Sequence, residues 1–202
     1  MTTAREEILG RIRNALTDRP APPPVIRDYR PGLGAGDVAQ FVERVEDYRA
    51  IVHRAIEGSV GDVVTGVLGA RGIGRVVVPD GFPDAWLPAL DTIREPVSVD
   101  VLDEVSAVIT TCRVAIAETG TFVLDAGPGM GARALTLVPD YHLVVIREEQ
   151  IRAIVPDALG LLDPTRPLTW ISGPSATSDI ELQRVEGVHG PRTLEVVIVA
   201  ES

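Results

Sequence analysis

Short apolar blocks alternate with amphipathic stretches along most of this 202-residue chain. Runs such as Leu143–Ile146 and Val196–Ala200 have the length of buried strands, and segments with helical apolar spacing lie between them. This pattern is typical of an α/β fold, a mostly parallel sheet with helices on both faces. Strands are predicted at residues 75–79, 97–99, 121–125, 141–146, 168–172 and 194–200, with a further helix end and strand within 104–111, and helices at 37–57, 60–71 and 148–162. Ligands of such sheets are expected at the carboxyl ends of the strands.

The N-terminal residues predict a helical arm. Thr3 and Glu6 fit a capping box, and apolar residues recur at helical spacing as far as Leu16. Five prolines and three glycines in residues 20–36 favour an extended tether. We therefore predict two parts, an arm with its tether over residues 1–36 and an α/β domain over residues 37–202. The apolar stripe of the arm needs cover from the domain or from a second copy, so the arm is a candidate site of homo-oligomerisation.

Composition narrows the function classes. The net charge of -10 argues against nucleic acid as a partner, and the 19 basic residues are all arginine, which excludes a P-loop NTPase. One cysteine, Cys112, cannot hold an iron–sulfur cluster, and three histidines without ligand spacing predict no metal site. No cofactor signature is present. No apolar run is long enough for a membrane span, and the N-terminus lacks the apolar segment of a signal peptide, so a cytoplasmic protein is expected.

Three polar, glycine-containing segments are candidates for chemistry. In the first, Ala117–Thr121, the Glu118 carboxylate is a candidate nucleophile or base, and Thr119 and Gly120 are candidate ligand contacts. A solvated turn is the alternative. The second, Gly173–Glu181, offers backbone amides and hydroxyls for an anion, from Gly173, Ser175, Thr177 and Asp179. Asp179 could equally be a helix N-cap.

The third segment, Gly187–Arg192, places His189 beside Gly190, where it could reach a pocket and exchange a proton, and Arg192 is a candidate carboxylate clamp. A loop histidine held by a backbone carbonyl is the alternative. A weaker candidate is the glycine-rich loop at residues 127–131 with Arg133. His142 and Cys112 are predicted to be core residues.

The order of three motifs resembles the LUD-domain family. These are AETGT at Ala117–Thr121, SGPSATSDIE at Ser172–Glu181 and GVHGPR at Gly187–Arg192. The resemblance implies a fold of the NagB/RpiA/CoA-transferase-like type and a role in oxidising L-lactate to pyruvate with two partner proteins that carry iron–sulfur clusters. Ala176 departs from the pattern, because many relatives have a basic residue there. If that residue binds an anion in the relatives, Arg133 or Arg192 must substitute for it in this chain, or the ligand differs.

The resemblance leads to two hypotheses. In the first, the chain is a non-redox subunit of a lactate-oxidising system, and the candidate residues line one cleft that binds a small carboxylate or a partner's loop. In the second, it is a stand-alone enzyme, CoA-transferase-like or phosphosugar-isomerase-like, in which Glu118 is the nucleophile or base. A pure scaffold that docks through the arm is a third reading. The sequence leaves open whether the chain catalyses a step itself.

Overall fold

The computed structural model describes residues 3–18, 23–26, 32–177, 185–186 and 190–200. The strands are β1 (Ile51–Ile56), β2 (Arg75–Val78), β3 (Asp91–Arg94), β4 (Ala107–Thr111), β5 (Val114–Ile116), β6 (Thr121–Leu124), β7 (Tyr141–Arg147), β8 (Ile151–Arg152), β9 (Thr169–Ile171), β10 (Ala176–Thr177), β11 (Val185–Glu186) and β12 (Thr193–Ala200). The helices are α1 (Ala4–Ala15), α2 (Val38–Asp47), α3 (Val60–Ala70), α4 (Val99–Glu104) and α5 (Val155–Leu159). Four short 3-10 turns join them, at Glu57–Ser59, Asp84–Trp86, Arg133–Thr136 and Glu148–Gln150.

Two compact units make up the chain, Met1–Arg30 and Pro31–Ser202. In the first unit, helix α1 begins with the predicted capping box: Glu6 N–H donates to Thr3 Oγ1 over 3.3 Å, and Thr3 N–H donates to Glu6 Oε2 over 2.8 Å. Its apolar residues Ile8 and Ile12 are 59% and 50% exposed. The role of this arm in homo-oligomerisation stays a prediction.

A parallel six-stranded sheet organises the second unit, with the strand order β1-β12-β7-β4-β2-β3. The predicted α/β class is confirmed. Helix α3 packs on one face against apolar side chains such as Val197, and α2 packs on the other face against side chains such as Val196. Because neighbouring residues of β12 point to opposite faces, the strand is buried on both, as its continuous apolar run predicted.

A smaller sheet shares the α2 face and was not predicted. Its order is β8-β5-β6-β9, and the β5–β6 and β6–β9 pairs are antiparallel. We expected β6 and β9 in the main sheet. The tight turn between β5 and β6 imposes antiparallel pairing instead, because a parallel connection needs a long crossover. The end of the predicted tether also contacts this sheet, since Gly36 N–H donates to the Ile151 carbonyl over 2.9 Å.

Three element predictions were wrong. The helix predicted over 37–57 ends at Asp47, and residues 51–56 form β1, whose pairing with β12 overrides helical spacing. The helix predicted over 148–162 is β8 followed by the short α5, because Pro156 lacks an N–H and fits only the first turn of a helix. The strand predicted over 97–99 is the start of α4, with Ser98 as its N-cap.

One buried carboxylate fastens the edge strand β1. Glu195 of β12 is buried, and its Oε2 lies 2.5 Å from the Nε2 atom of His53 on β1. Arg71, at the end of α3, donates from Nε to Glu195 Oε1 over 2.8 Å. Glu195 thereby ties an edge strand and a helix end to the neighbouring strand β12.

Candidate functional site

A cavity of about 250 Å3 lies at the amino ends of β7 and β12. We call it the amino-end cavity. Its walls are residues 169–175, Gly190 and Pro191, the turn residues Arg133, Thr136 and Leu137, and His142 and Leu194 near the starts of the two strands. The sequence led us to expect ligands at the carboxyl ends of the strands. The loop after β9 comes over the opposite end because β9 belongs to the smaller sheet, which packs on one face of the main sheet.

Four of the residues predicted from sequence line this cavity: Arg133, Gly173, Ser175 and Gly190. The loop after β9 is held against the segment before β12, because Ser175 N–H donates to the Pro191 carbonyl over 2.8 Å. Two of the three predicted segments therefore meet at one place in the fold. Their binding of a ligand stays a prediction.

The remaining segment, Ala117–Thr121, includes the turn between β5 and β6 and reaches the cavity only through hydroxyl groups. Thr119 Oγ1 donates to Thr121 Oγ1 over 2.8 Å, and the Thr121 hydroxyl lies 2.7 Å from that of Ser172, a wall residue. Glu118 is exposed and does not line the amino-end cavity. Its backbone N–H donates to the Ala153 carbonyl over 3.1 Å. This arrangement places the candidate nucleophile outside the cavity walls.

Two of the predicted glycines have structural reasons to be glycine. Gly120 has a φ of 59°, and a Cβ there would lie 2.7 Å from the Cβ of Arg44 on α2. Gly173 has a φ of 86°, and a Cβ there would lie 2.5 Å from the Cβ of Tyr48. Both backbones therefore pack directly on the end of α2, which positions the turn and the loop on either side of it.

Arg192 pairs with a carboxylate of the chain itself. Its Nε and Nη2 atoms donate to Oδ1 and Oδ2 of Asp140 over 2.7 and 2.6 Å. The hydrogen bond from Arg192 lowers the pKa of Asp140 below its ordinary value. Because Asp140 precedes β7 and Arg192 precedes β12, the pair joins the starts of two central strands. Arg192 does not line the amino-end cavity.

Three further predicted residues are described only in part or not at all. Thr177 belongs to β10, which pairs with β11 in a two-stranded antiparallel sheet. Asp179 and His189 lie outside the described residues.

Arg133 supplies the positive charge of the amino-end cavity. Its Nη1 donates to Thr169 Oγ1 over 3.0 Å, which uses one of the five N–H donors of a guanidinium. Within the described ranges, Arg133 forms no ion pair with a carboxylate. Its side chain is exposed at the cavity and can pair with an anion.

His142 is a cavity residue that sequence reasoning assigned only to the core. The imidazole is buried, with Nε2 2.7 Å from Thr110 Oγ1, and burial lowers its pKa from 6.5 to about 3. A neutral imidazole can hydrogen-bond a hydroxyl but adds no charge. The position of His142 at the start of a strand did not indicate that it borders a cavity, because the cavity is created there only by the packing of the smaller sheet.

Across the described ranges, no group of three or more His, Cys, Asp or Glu side chains is arranged to hold a metal ion. None of the helices within those ranges combines the length and the apolar character that a bilayer crossing requires.

Comparison with known proteins adds an independent observation. The sequence model of the LUD domain matches residues 38–199. Lactate utilization protein C of Deinococcus radiodurans is 43% identical over 207 residues, covering 98% of this chain and 93% of that protein. Lactate utilization protein C of an Exiguobacterium species is 28% identical over 225 residues, covering 98% and 96%. The crystal structure of a DUF162 family protein from Deinococcus radiodurans superposes with a TM-score of 0.68 at 39% identity, covering 80% of this chain and 95% of that one.

Proposed function

The chain belongs to the LUD-domain family, and on that premise we propose that it acts in lactate utilization as a non-redox subunit that binds a small carboxylate in the amino-end cavity. Relatives named lactate utilization protein C support the proposed role in lactate utilization. One cysteine in 202 residues cannot ligate a cluster that takes about four thiolates. The iron–sulfur clusters of the proposed system are therefore assigned to partner proteins.

One observation carries the carboxylate proposal: Arg133, Ser172 and Ser175 border the same cavity, together with neutral His142. A guanidinium pairs with a carboxylate through charge-assisted hydrogen bonds. Hydroxyl groups and a neutral imidazole suit the 2-hydroxyl of lactate or the keto oxygen of pyruvate. At about 250 Å3, the cavity is smaller than a typical drug-sized site, which favours an acid of few carbons.

Calorimetric titration of the purified chain with L-lactate and with pyruvate tests this proposal. Arg133→Gln removes the charge and should weaken binding at least about tenfold, since hydrogen bonds to charged groups contribute roughly 1.5–3 kcal/mol. The matched control is Arg75→Gln, because Arg75 is an exposed arginine that pairs with Asp91 at the far edge of the sheet. A neutral ligand, 1,2-propanediol, keeps the lactate skeleton without the carboxylate and should not bind. Equal lactate affinity in the Arg133 variant would contradict the carboxylate proposal.

The partner proposal has its own experiment. An affinity-tagged chain is recovered from lactate-grown cells, and the eluate is assayed for iron and acid-labile sulfide. We expect both to co-purify in stoichiometric amounts with the chain and to be missing when the tag is on an unrelated protein. Recovery of the chain without iron or sulfide would contradict the assembly.

A further inference from the structure

Another cavity lies at the opposite end of the main sheet. Its volume is about 280 Å3, and it is bordered by Thr111 and Arg147, the last residues of β4 and β7, and by Trp86, Arg113 and Gln150. We call it the carboxyl-end cavity. Strand β7 therefore runs from one cavity to the other. Carboxyl ends of parallel strands are where open α/β sheets most often bind ligands.

Arg147 is held in a fixed orientation in this cavity. Its Nη1 and Nη2 atoms donate to Oε2 and Oε1 of Glu57 over 2.6 and 3.0 Å. Its guanidinium carbon lies 4.5 Å from the centre of the Trp86 ring, and Trp86 Nε1 donates to the same Glu57 over 3.0 Å. Two of the five N–H donors of Arg147 are thus used to orient it, which lowers the cost of binding a ligand with the others.

Arg113 supplies charge that no neighbouring acid balances. Its Nε donates to the Leu161 carbonyl over 3.3 Å, and over the described ranges it forms no ion pair with a carboxylate. Among the described residues that border the carboxyl-end cavity, none is Asp or Glu. The charge of Arg147 is balanced by Glu57, so in a chain with a net charge of -10 the guanidinium of Arg113 makes the local positive site.

The adjoining glycine-rich loop does not itself bind an anion through its backbone. Gly129 N–H donates to the Asp80 carbonyl over 2.7 Å, and the N–H groups of Met130 and Gly131 donate to the Gly127 carbonyl over 3.0 and 3.1 Å. These amides are used within the protein, so an anion must be bound by side chains. A neighbouring cavity beyond Pro128 is bordered by one arginine, Arg166, and by two acidic residues, Asp80 and Glu95, so an anion is favoured on the Arg113 side.

Cys112 also borders the cavity, but its thiol is no nucleophile. Burial raises its pKa, so the thiol stays protonated at neutral pH. Gln150 fixes this wall, because its Nε2 donates to the Cys112 carbonyl over 2.6 Å and its Oε1 accepts from the backbone N–H of Arg147 over 2.8 Å. The side chains that border this cavity are therefore suited to binding a ligand, not to nucleophilic attack on it.

We propose that the carboxyl-end cavity binds the oxyanion of a small metabolite, a phosphate or a carboxylate group, through Arg113 and Arg147. This site is separate from the amino-end cavity, and each can be occupied without the other.

The two tryptophans border different cavities, so tryptophan fluorescence can be made to report on the carboxyl-end cavity alone. Trp86 borders the carboxyl-end cavity and Trp170 borders the amino-end cavity. Trp170 is 41% exposed, so Trp170→Phe should fold and leave Trp86 as the one tryptophan that emits. This protein is titrated with inorganic phosphate and, separately, with pyruvate, and sodium chloride at equal ionic strength is the control.

We expect a saturable change in Trp86 emission with phosphate, with pyruvate or with both. The probe whose titration saturates identifies the group that binds, a phosphate or a carboxylate. In the Trp170→Phe background, Arg113→Gln should raise the dissociation constant at least about tenfold, and Arg113→Lys should restore part of the affinity. Arg75→Gln, at the far edge of the sheet, should leave the dissociation constant unchanged. The proposal is overturned if neither probe saturates, or if saturation persists in Arg113→Gln. Lactate binding at Arg133 is measured separately by calorimetry, so either proposal can fail alone.

Discussion

Acidification should destabilise this protein through His142. The imidazole is buried at the start of β7, and burial lowers its pKa from 6.5 to about 3. Between these two values the unfolded chain binds a proton at His142 and the folded chain does not. The free energy of unfolding therefore falls as the pH falls below about 6.5, by about 1.4 kcal/mol per pH unit. At pH 5 the loss amounts to about 2 kcal/mol relative to neutral pH.

Urea unfolding of the wild type and of His142→Gln at pH 7.5 and at pH 5 measures this loss. Glutamine can keep a hydrogen bond to Thr110 but does not titrate, so the variant should lose about 2 kcal/mol less than the wild type between the two pH values. Groups other than His142 titrate in both proteins and cancel in the difference. Asp140, whose pKa is lowered by Arg192, affects stability only at still lower pH. The same pH dependence in both proteins would refute the burial argument.

Two further predictions concern the turn between β5 and β6. Gly120→Ala places a side chain on a backbone of positive φ and against Arg44, and should lower the free energy of unfolding by roughly 1–3 kcal/mol. The control is Gly10→Ala in α1, where nothing lies within 4 Å of the added Cβ; it should be neutral or stabilising in the same urea assay. Equal effects at the two sites would contradict the packing of Gly120. Glu118→Gln should change stability by less than about 0.5 kcal/mol, and intact-mass measurement after incubation with acyl-CoA should show no adduct in either protein. A covalent adduct that Glu118→Gln abolishes would instead establish the CoA-transferase-like alternative.

The sequence predicted the parallel sheet because its central strands are continuous apolar runs, a pattern that few other structures produce. The prediction failed where the same pattern of apolar residues fits both a helix and a strand. Val52 and Ile56 match helical spacing as well as they match a strand, and only pairing with β12 decides between the two. The strand order itself depends on contacts between residues far apart in the chain.

The candidate site was predicted in part for a similar reason. Polar segments with glycine were visible as such, and the loops near Ser175 and Gly190 do meet. Their position at the amino ends of the strands could not be predicted, because it depends on the smaller sheet. His142 was assigned to the core correctly, yet nothing in its neighbours along the sequence shows that a cavity borders it.

The place of β12 in the sheet has a consequence for how the protein is made. Strand β1 pairs within the sheet with β12 alone, and β12 separates it from β7. During synthesis, residues 51–56 therefore remain unpaired until residues 193–200 have left the ribosome. Contacts this distant along the chain slow folding, and until β12 is made the apolar strand β7 also lacks its partner on that side, which favours aggregation. Nascent chains that stall before β12 should consequently depend on chaperones.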